Sequence, residues 1–334
     1  MDRRSLPTKD ADAFSSFVQG RALFQAYLGS GQGEDLLRAR ERFASAAARD
    51  SEFDIARLYL AVTQTELRDS DAAIPNLKKL VHRNRYLPEA HVQLAYAHIK
   101  RYKDVDYAAA DQELQDAIEA AKSGNRVDLI DLIEAYRVFL LAVRGGRGKE
   151  EISRKRQYLE EAVGAGQRLL ERADREKASN EKLAILFEAS NAVGIAFLWL
   201  GELFPFEPRS AFWWRESEQY LRSALDLRPN SVRALQNMGL LRMLDGDRAK
   251  EPIEARGLYQ EAKEFVLRSL ALNSFDQYPH YQMALLSART EDWSAAKSFL
   301  EAGQTQKGAI SAEKWAAIKK AIEDHDRSQI LTFR

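Results

Sequence analysis

Two neighbouring stretches decide the fold: NAVGIAFLWLG at residues 191–201 and SEQYLRSALDLRP at residues 217–229. The first is almost wholly apolar and places Gly194 and Gly201 seven positions apart, on one stripe of a helix. The second repeats small and apolar residues every three or four positions and ends at Pro229, which cannot continue a helix. Together they predict two helices that turn back on each other, with a small residue where their backbones cross.

The pattern of the second stretch recurs along the chain. A small residue is followed four and seven positions later by apolar or small residues, so that all three share one helical face. The recurrences begin at Ala39, Ala73, Ala110, Ser217, Ala262 and Ala296. Small residues on the preceding helices lie at Ala61, Ala95, Gly194, Gly239 and Ala284. These pairs predict a row of helical hairpins in which small residues allow close approach.

This arrangement resembles the tetratricopeptide repeat (TPR), a two-helix unit that stacks into a solenoid. The resemblance covers roughly residues 12–325 and is most specific at residues 187–303. It implies an all-α fold, a right-handed superhelical solenoid of seven TPR-like hairpins with a C-terminal capping helix. Ser311 is the expected N-cap of that last helix. Only eight prolines, and no extended β-branched alternation, agree with a helical chain.

The motif is uneven along the chain. Between residues 126 and 172 it fades, and we predict a degenerate fourth hairpin with a long second helix. The charged stretch from Glu171 to Lys182 has no apolar period until Leu183 and marks the expected division into halves. The predicted parts are an N-terminal extension (1–11), N-terminal hairpins (12–175), C-terminal hairpins with the capping helix (181–325) and a tail (326–334).

Composition narrows the classes of partner. Lys and Arg together number 50, as do Asp and Glu, so the net charge is zero and nucleic acid is disfavoured as a partner. The longest apolar stretches, 138–143 and 192–200, fall short of a spanning helix, so membrane insertion is not expected. The first residues contain no apolar signal region. We therefore expect a cytoplasmic protein, or a periplasmic one if a leader has been removed.

No pattern for catalysis, cofactor or metal stands out. The absence of cysteine excludes thiol catalysis and cysteine-based zinc sites, and the five histidines form no HExxH pairing. The glycine-rich segment 29–33 follows a helix and lacks the Lys-Ser/Thr of a phosphate loop, so we interpret it as a flexible connection. The basic segment 144–156 is interrupted by Glu150 and Glu151 and is interpreted as a solvated loop. We expect a protein that is not an enzyme and has no cofactor or metal.

The resemblance also implies where a partner binds. In TPR solenoids the first helix of each hairpin lines a concave groove. Transferred by register, the groove residues are Tyr96, Lys100, Glu188, Asn191, Trp199, Arg233, Gln236, Asn237, Tyr278, Tyr281 and Arg289. Aromatic anchors mixed with hydrogen-bonding side chains suit the recognition of a peptide.

A second unusual feature follows Gly201, where five aromatic residues fall within eleven positions. This aromatic insertion consists of Phe204, Phe206, Phe212, Trp213 and Trp214. We expect Phe204, Phe206 and Trp213 to cluster and to cover a gap between hairpins, because exposing large apolar side chains is unfavourable. An outward contact site is the alternative.

Taken together, the sequence favours a non-enzymatic scaffold or adaptor that binds a partner protein or peptide in its concave groove, inside a larger assembly. One alternative is a sensor whose curvature changes when a peptide binds. The other is an RNA-binding helical repeat, for which the basic segment 144–156 would supply phosphate contacts.

Overall fold

The computed structural model describes residues 8–84, 87–174, 179–306, 308 and 310–333. Within these residues the chain forms sixteen α-helices and no β-strand, which confirms the all-α prediction. The first fourteen helices pair consecutively into seven hairpins that stack into a superhelical solenoid of TPR-like units.

The hairpins are α1 (Ala11–Ser30) with α2 (Gly33–Arg49), α3 (Asp54–Glu66) with α4 (Ser70–Arg83), α5 (Pro88–Lys100) with α6 (Asp104–Ser123), α7 (Ile130–Arg147) with α8 (Ile152–Asp174), α9 (Asn180–Leu203) with α10 (Ser210–Leu227), α11 (Val232–Arg248) with α12 (Pro252–Leu272), and α13 (Gln277–Arg289) with α14 (Trp293–Gln304). Two further helices, α15 (Ala312–Glu323) and α16 (Arg327–Ile330), follow them.

The crossing of α9 and α10 shows why small residues recur. A Cβ atom added at Gly194 would lie 2.8 Å from Cγ of Leu221, so only glycine fits there without a shift. Beside it, the hydroxyl of Ser217 donates a hydrogen bond of 2.9 Å to the carbonyl of Gly194. The small side chain thus permits close packing, and its hydroxyl is satisfied in a buried place.

The fourth hairpin is formed despite its weak motif, as predicted. Its second helix, α8, is 23 residues long. Gly145 of α7 provides the close approach, because an added Cβ would lie 2.6 Å from Cγ of Leu159 on α8. Three different helices, α7, α8 and α10, pack around α9, which makes α9 the central helix of the solenoid.

α9 is also long and apolar enough to cross a membrane, which corrects the expectation that every apolar stretch is too short. It is the one such helix among the described residues, and 83% of its apolar window is buried inside the protein. Its apolar composition is therefore explained by the neighbours on all its sides.

The predicted division into halves falls partly outside the described residues, which omit 175–178. On either side of this gap, α7 and α8 pack against α9. One cluster of buried apolar residues runs from Val92 to Ile330. The two predicted sets of hairpins thus share a core. Residues 1–7 of the predicted extension also lie outside the described part.

The superhelix closes on itself through the turn between α1 and α2. Gly31 has a left-handed φ of 76° and lies so close to the loop after α10 that an added Cβ would be 2.6 Å from the carbonyl oxygen of Asn230. Gly33 approaches Asn273, which follows α12. The segment that we expected to be a flexible connection is therefore a tight turn packed against distant hairpins.

The C-terminal end is capped as predicted. The Ser311 hydroxyl accepts a hydrogen bond of 3.2 Å from the backbone N–H of Lys314, and Trp315 on α15 is buried against the last hairpin. The predicted tail contains α16, whose Ile330 is fully buried. α15 and α16 together cover the apolar face that the seventh hairpin would otherwise expose.

The crossing of α11 and α12 gives a test of this packing. A Cβ at Gly239 would lie 2.5 Å from Cγ2 of Val266, so Gly239→Leu should lower the free energy of unfolding by about 3 kcal/mol, measured by chemical denaturation. Gly257→Leu on the exposed side of α12 is the matched control, because no atom lies within 4 Å of its added Cβ. It should not destabilise the chain. Equal stability of both variants would mean that the two helices do not cross at Gly239.

Candidate functional site

The inner face of the superhelix encloses a cavity with two chambers. The wide chamber has a volume of about 420 Å³ and is lined by the end of α1, by α5 and α9, and by the loops that follow α3, α10 and α12. Leu28, Gly29, Pro229 and Asn230 line it and are exposed, so the chamber opens to solvent between α1 and the loop after α10.

The narrow chamber, of about 70 Å³, lies farther along the inner face. One wall is apolar and comes from α7, α9 and α11, including Phe139, Leu198 and Leu240. Polar side chains, including Tyr102 and Arg147, complete the lining. A ligand reaching this chamber would therefore meet both apolar surface and hydrogen-bond donors.

Three polar side chains, here called the closing network, stand between the chambers: Arg68, Gln236 and Asp276. The guanidinium of Arg68 lies 3.3 Å from Oδ2 of Asp276, and its Nη2 donates to Oε1 of Gln236, also at 3.3 Å. Nε2 of Gln236 donates to the same Asp276 oxygen at 2.8 Å. Since Arg68 and Asp276 are 208 positions apart, these bonds join the second hairpin to the sixth and seventh.

The backbone of the turn after α3 places the side chain of Arg68 in the cavity. Arg68 and Tyr102 occupy equivalent turns between the two helices of their hairpins, 34 positions apart, and both have left-handed φ values, of 61° and 53°. Nη1 of Arg68 lies 3.4 Å from the hydroxyl oxygen of Tyr102 and donates to it. Large side chains rarely adopt this backbone conformation, and where they do the site is often functional.

A second buried ion pair lies beside the network. Nη2 of Arg233 donates to Oε2 of Glu188 at 2.5 Å. The same guanidinium lies over three aromatic rings, those of Tyr96 at 5.8 Å and of Phe139 and Phe187 at 5.3 Å each. The carboxylate and the rings together compensate for the charge that burial removes from water.

Two other cations of the cavity have no carboxylate partner in the part of the chain that the structure describes. Lys100 is 5% exposed, and its ammonium lies over the ring of Tyr96 at 5.3 Å. Arg147, at the end of α7, is exposed and lies over the rings of Tyr102 and Tyr278, to whose hydroxyl it donates at 3.2 Å. The cavity therefore carries positive charge that its own carboxylates do not pair.

The pKa values follow from this excess of positive charge. Burial lowers the pKa of Lys100 to about 8, and the charge of Arg68 acts in the same direction. Burial alone would raise the pKa of Tyr102, but Arg68, Lys100 and Arg147 outweigh it and lower that pKa to about 7. Burial would also raise the pKa of Asp276, yet Arg68 holds it below its usual value.

The structure brings most of the predicted groove residues to this cavity. Those in its lining are Tyr96, Lys100, Glu188, Trp199, Arg233, Gln236, Asn237 and Tyr278. Their role in binding a partner stays a prediction. Several of them are already bonded to one another across the inner face, so the groove is narrower than an open TPR surface.

Three predicted groove residues lie elsewhere. Tyr281 is 1% exposed, because it packs between Tyr278 and Trp315. Arg289 is buried in an ion pair of 2.8 Å with Asp247. Asn191 is fully buried and accepts a hydrogen bond from Asn237. All three lie on first helices, as predicted. However, the sixth hairpin covers Arg289 and Asn191, and Trp315 of the capping helix covers Tyr281.

Sequence reasoning missed Arg68, Tyr102, Arg147 and Asp276. The first two lie on turns and Asp276 lies in a loop, whereas the predicted groove was drawn only from helix faces. Arg147 was assigned to a solvated loop, yet it belongs to α7 and lines the narrow chamber. The spacing of 34 between Arg68 and Tyr102 is the one signal that could have drawn attention to the turns.

Some residues of the aromatic insertion are buried in the protein and others are exposed to solvent. Trp213 and Trp214 on α10 are buried, and the ring of Phe204 lies 6.4 Å from that of Trp213 in an edge contact. Phe206 is 99% exposed and Phe212 is 42% exposed. The predicted cluster of three is therefore wrong for Phe206, which lies in the loop between α9 and α10.

One group of potential metal ligands exists among the described residues: His91, Glu113 and Asp116, whose donor atoms lie within 4.8 Å of one another. Nδ1 of His91 is 2.7 Å from Oε2 of Glu113, a hydrogen bond that fixes both side chains between α5 and α6. His98 makes a similar bond of 2.9 Å with Asp106. Both contacts are explained by packing within the third hairpin.

No protein-family model matches the chain, and no curated protein matches its sequence. Among solved structures, the human IFIT1 dimer with m7Gppp-AAAA is similar at 11% identity and a TM-score of 0.55, covering 97% of this chain and 76% of that one. Ypp1 is similar at 13% identity and a TM-score of 0.53, over 90% of this chain and 44% of that one. A tetratricopeptide repeat protein from Parabacteroides merdae gives 9% identity and a TM-score of 0.45, over 97% of this chain and 100% of that one.

At these identities the likenesses show the fold alone. Together with the seven hairpins, they identify a TPR-like helical-repeat fold, as the sequence pattern predicted.

The pKa shifts predict that stability rises with pH between about pH 7 and pH 10. In that window the unfolded chain keeps the protons of Tyr102 and Lys100, and the folded chain loses them, so rising pH favours the folded state. The denaturation midpoint of the native chain should be higher at about pH 10 than at about pH 7. This difference should be smaller in Tyr102→Phe and in Lys100→Met. Phenolate absorbance should show one of the 12 tyrosines ionising near neutral pH, and a flat stability profile would contradict the assignment.

The insertion gives a paired prediction. Trp213→Ala should lower the free energy of unfolding by about 3–5 kcal/mol, because it leaves a cavity under α10. Phe206→Ala should change it by less than about 0.5 kcal/mol, because the ring makes no buried contact. Thermal melting of both variants measures the difference. A large loss in Phe206→Ala would show that its ring packs against the protein.

Proposed function

We propose that this chain is a non-enzymatic adaptor that binds a short segment of a partner protein in the inner cavity. The observation that carries the proposal is the wide chamber, which is open to solvent at one side and lined by both aromatic and polar groups. Such linings recognise peptides by combining apolar contact with a few oriented hydrogen bonds.

The size of the chamber limits the segment. A volume of about 420 Å³ lies within the range of small-ligand sites, about 300–1,000 Å³, and holds only a few residues. The closing network blocks a longer chain from passing along the inner face. We therefore propose that a chain end or a tight loop of the partner enters beside Leu28 and Asn230.

RNA is the second candidate. The similar human IFIT1 dimer was solved with m7Gppp-AAAA, and five cations among the described residues line this cavity: Arg68, Lys100, Arg147, Arg228 and Arg233. However, Glu66, Glu188 and Asp276 line it as well, and the net charge of the chain is zero. Carboxylates repel a phosphate backbone, so a protein segment is the better-supported ligand.

The test uses peptides selected from a displayed library against the full chain, with affinities measured by fluorescence anisotropy. Leu28→Asp places a charge at the rim of the wide chamber and should weaken binding about tenfold or more, because apolar contact is lost there. Ile253→Asp is the matched control, since Ile253 is 87% exposed and lies outside the cavity. It should bind as the native chain does.

Equal affinities of the two variants, or failure of the library to yield a binder, would contradict the proposal. Single-stranded RNA is titrated in parallel at several salt concentrations. Tight RNA binding that weakens steeply with salt and is reduced by loss of Arg147 would favour the second candidate instead.

A further inference from the structure

Five cations line the inner cavity in the described part of the chain, and three of them, Arg68, Lys100 and Arg147, differ in how far a carboxylate pairs their charge. Arg68, which lines both chambers, is paired with Asp276. Lys100 in the wide chamber and Arg147 in the narrow chamber are not paired with a carboxylate within the described residues. Tyr102 links Arg68 to Arg147, since it accepts a hydrogen bond from Arg68 and its ring lies under Arg147.

The burial of Lys100 requires explanation, since no carboxylate pairs with it in the part of the chain that the structure describes. It is nine-tenths buried, and it lines the wide chamber with its ammonium over the face of the Tyr96 ring. Glu66 lines the same chamber, but among the described residues no ion pair joins it to Lys100. Burial holds the pKa of Lys100 down at about 8, although the charge of Glu66 raises it, so the cavity compensates this buried charge only in part.

We propose that Lys100 and Arg68, which both line the wide chamber, form a binding site for one oxyanion, a phosphate or a carboxylate group. The inference rests on the proposed function only for the source of that group, which is either the bound segment or a free anion. The oxyanion would accept hydrogen bonds from the ammonium and from the guanidinium, and would complete the counter-charge of Lys100.

Asp276 does not fill this role. Its Oδ2 already accepts from Arg68 and from Gln236, and its Oδ1 accepts from the backbone N–H of Tyr278 at 3.0 Å as the N-cap of α13. Glu188 is similarly engaged by Arg233. Asp276 and Glu188 are therefore committed to other partners. Glu66, the third carboxylate of the cavity, forms no ion pair with Lys100 among the described residues, so the ammonium can still bind a ligand.

The test measures melting temperatures of the full chain in increasing inorganic phosphate, with ionic strength held constant by NaCl, at about pH 6, where Lys100 is protonated. Four forms are compared: the native chain, Lys100→Met, Lys100→Arg and the exposed-site control Lys79→Met. Phosphate also stabilises proteins generally, but that effect is the same in all four forms and cancels in the comparison.

Phosphate should raise the melting temperature of the native chain, Lys79→Met and Lys100→Arg by about 3 °C more than that of Lys100→Met. Without phosphate, Lys100→Met should melt above the native chain, because a buried charge that the cavity compensates only in part has been removed. Equal phosphate shifts in all four forms overturn the proposal. If Lys100→Met does not fold, Lys100→Gln takes its place, and equal phosphate shifts in Lys100→Gln and in the native chain overturn the proposal as well.

A second arm identifies the source of the oxyanion. Phosphate is added to the complex with a selected peptide and to the complex with the same peptide whose acidic group has been converted to an amide. If phosphate displaces only the acidic peptide, the bound segment itself supplies the oxyanion. Phosphate that stabilises the chain without displacing the peptide shows a free anion. If phosphate has no specific effect and peptides still bind, the oxyanion site fails and the proposed function stands. If phosphate acts and no peptide binds, the proposed function fails and the site stands.

Discussion

The contact among Arg68, Gln236 and Asp276 determines the form of the inner face. A solenoid of hairpins has local contacts only between neighbours, so nothing in a single repeat fixes how tightly the whole stack curls. Here residues 208 positions apart meet at 3.3 Å, and the turn at Gly31 packs against the loop after α10. These long-range contacts turn an open groove into a closed cavity, and every property of the candidate site follows from that closure.

Stability alone does not account for a polar network in this place. Removing an arginine and an aspartate from water is unfavourable, and apolar side chains of similar size would close the stack at least as well. What the contact between Arg68 and Asp276 adds is a specific geometry, because hydrogen bonds are directional and apolar contacts are not. Asp276 accepts from Arg68, from Gln236 and from a backbone N–H, so only one arrangement satisfies it. The network therefore specifies one curvature, and it keeps the cavity polar where the chambers meet.

The sequence was sufficient for the fold but only partly for the site. Contacts between neighbouring helices, such as those of Gly194 and Ser217, depend on the local spacing of small residues. They can therefore be predicted from the sequence. The pairing of Arg68 with Asp276 depends on curvature accumulated over several repeats, and no local pattern contains it. The same limit explains Phe206, because a count of aromatic residues in a loop does not say which of them the loop turns towards the protein.

Closure also changes what a TPR-like surface can bind. An open concave groove accepts a long helix or an extended peptide, whereas here the groove-facing Gln236 and Arg233 already bond to partners in the same chain. A ligand that spans the inner face must separate Arg68 from Asp276, and so must replace a saturated set of charged hydrogen bonds. A ligand confined to the wide chamber leaves that set intact and meets Lys100, the buried cation of the cavity that no carboxylate pairs among the described residues. If the proposed function holds, closure limits the ligand to a short segment, and the proposed oxyanion site at Lys100 favours a segment with an anionic group.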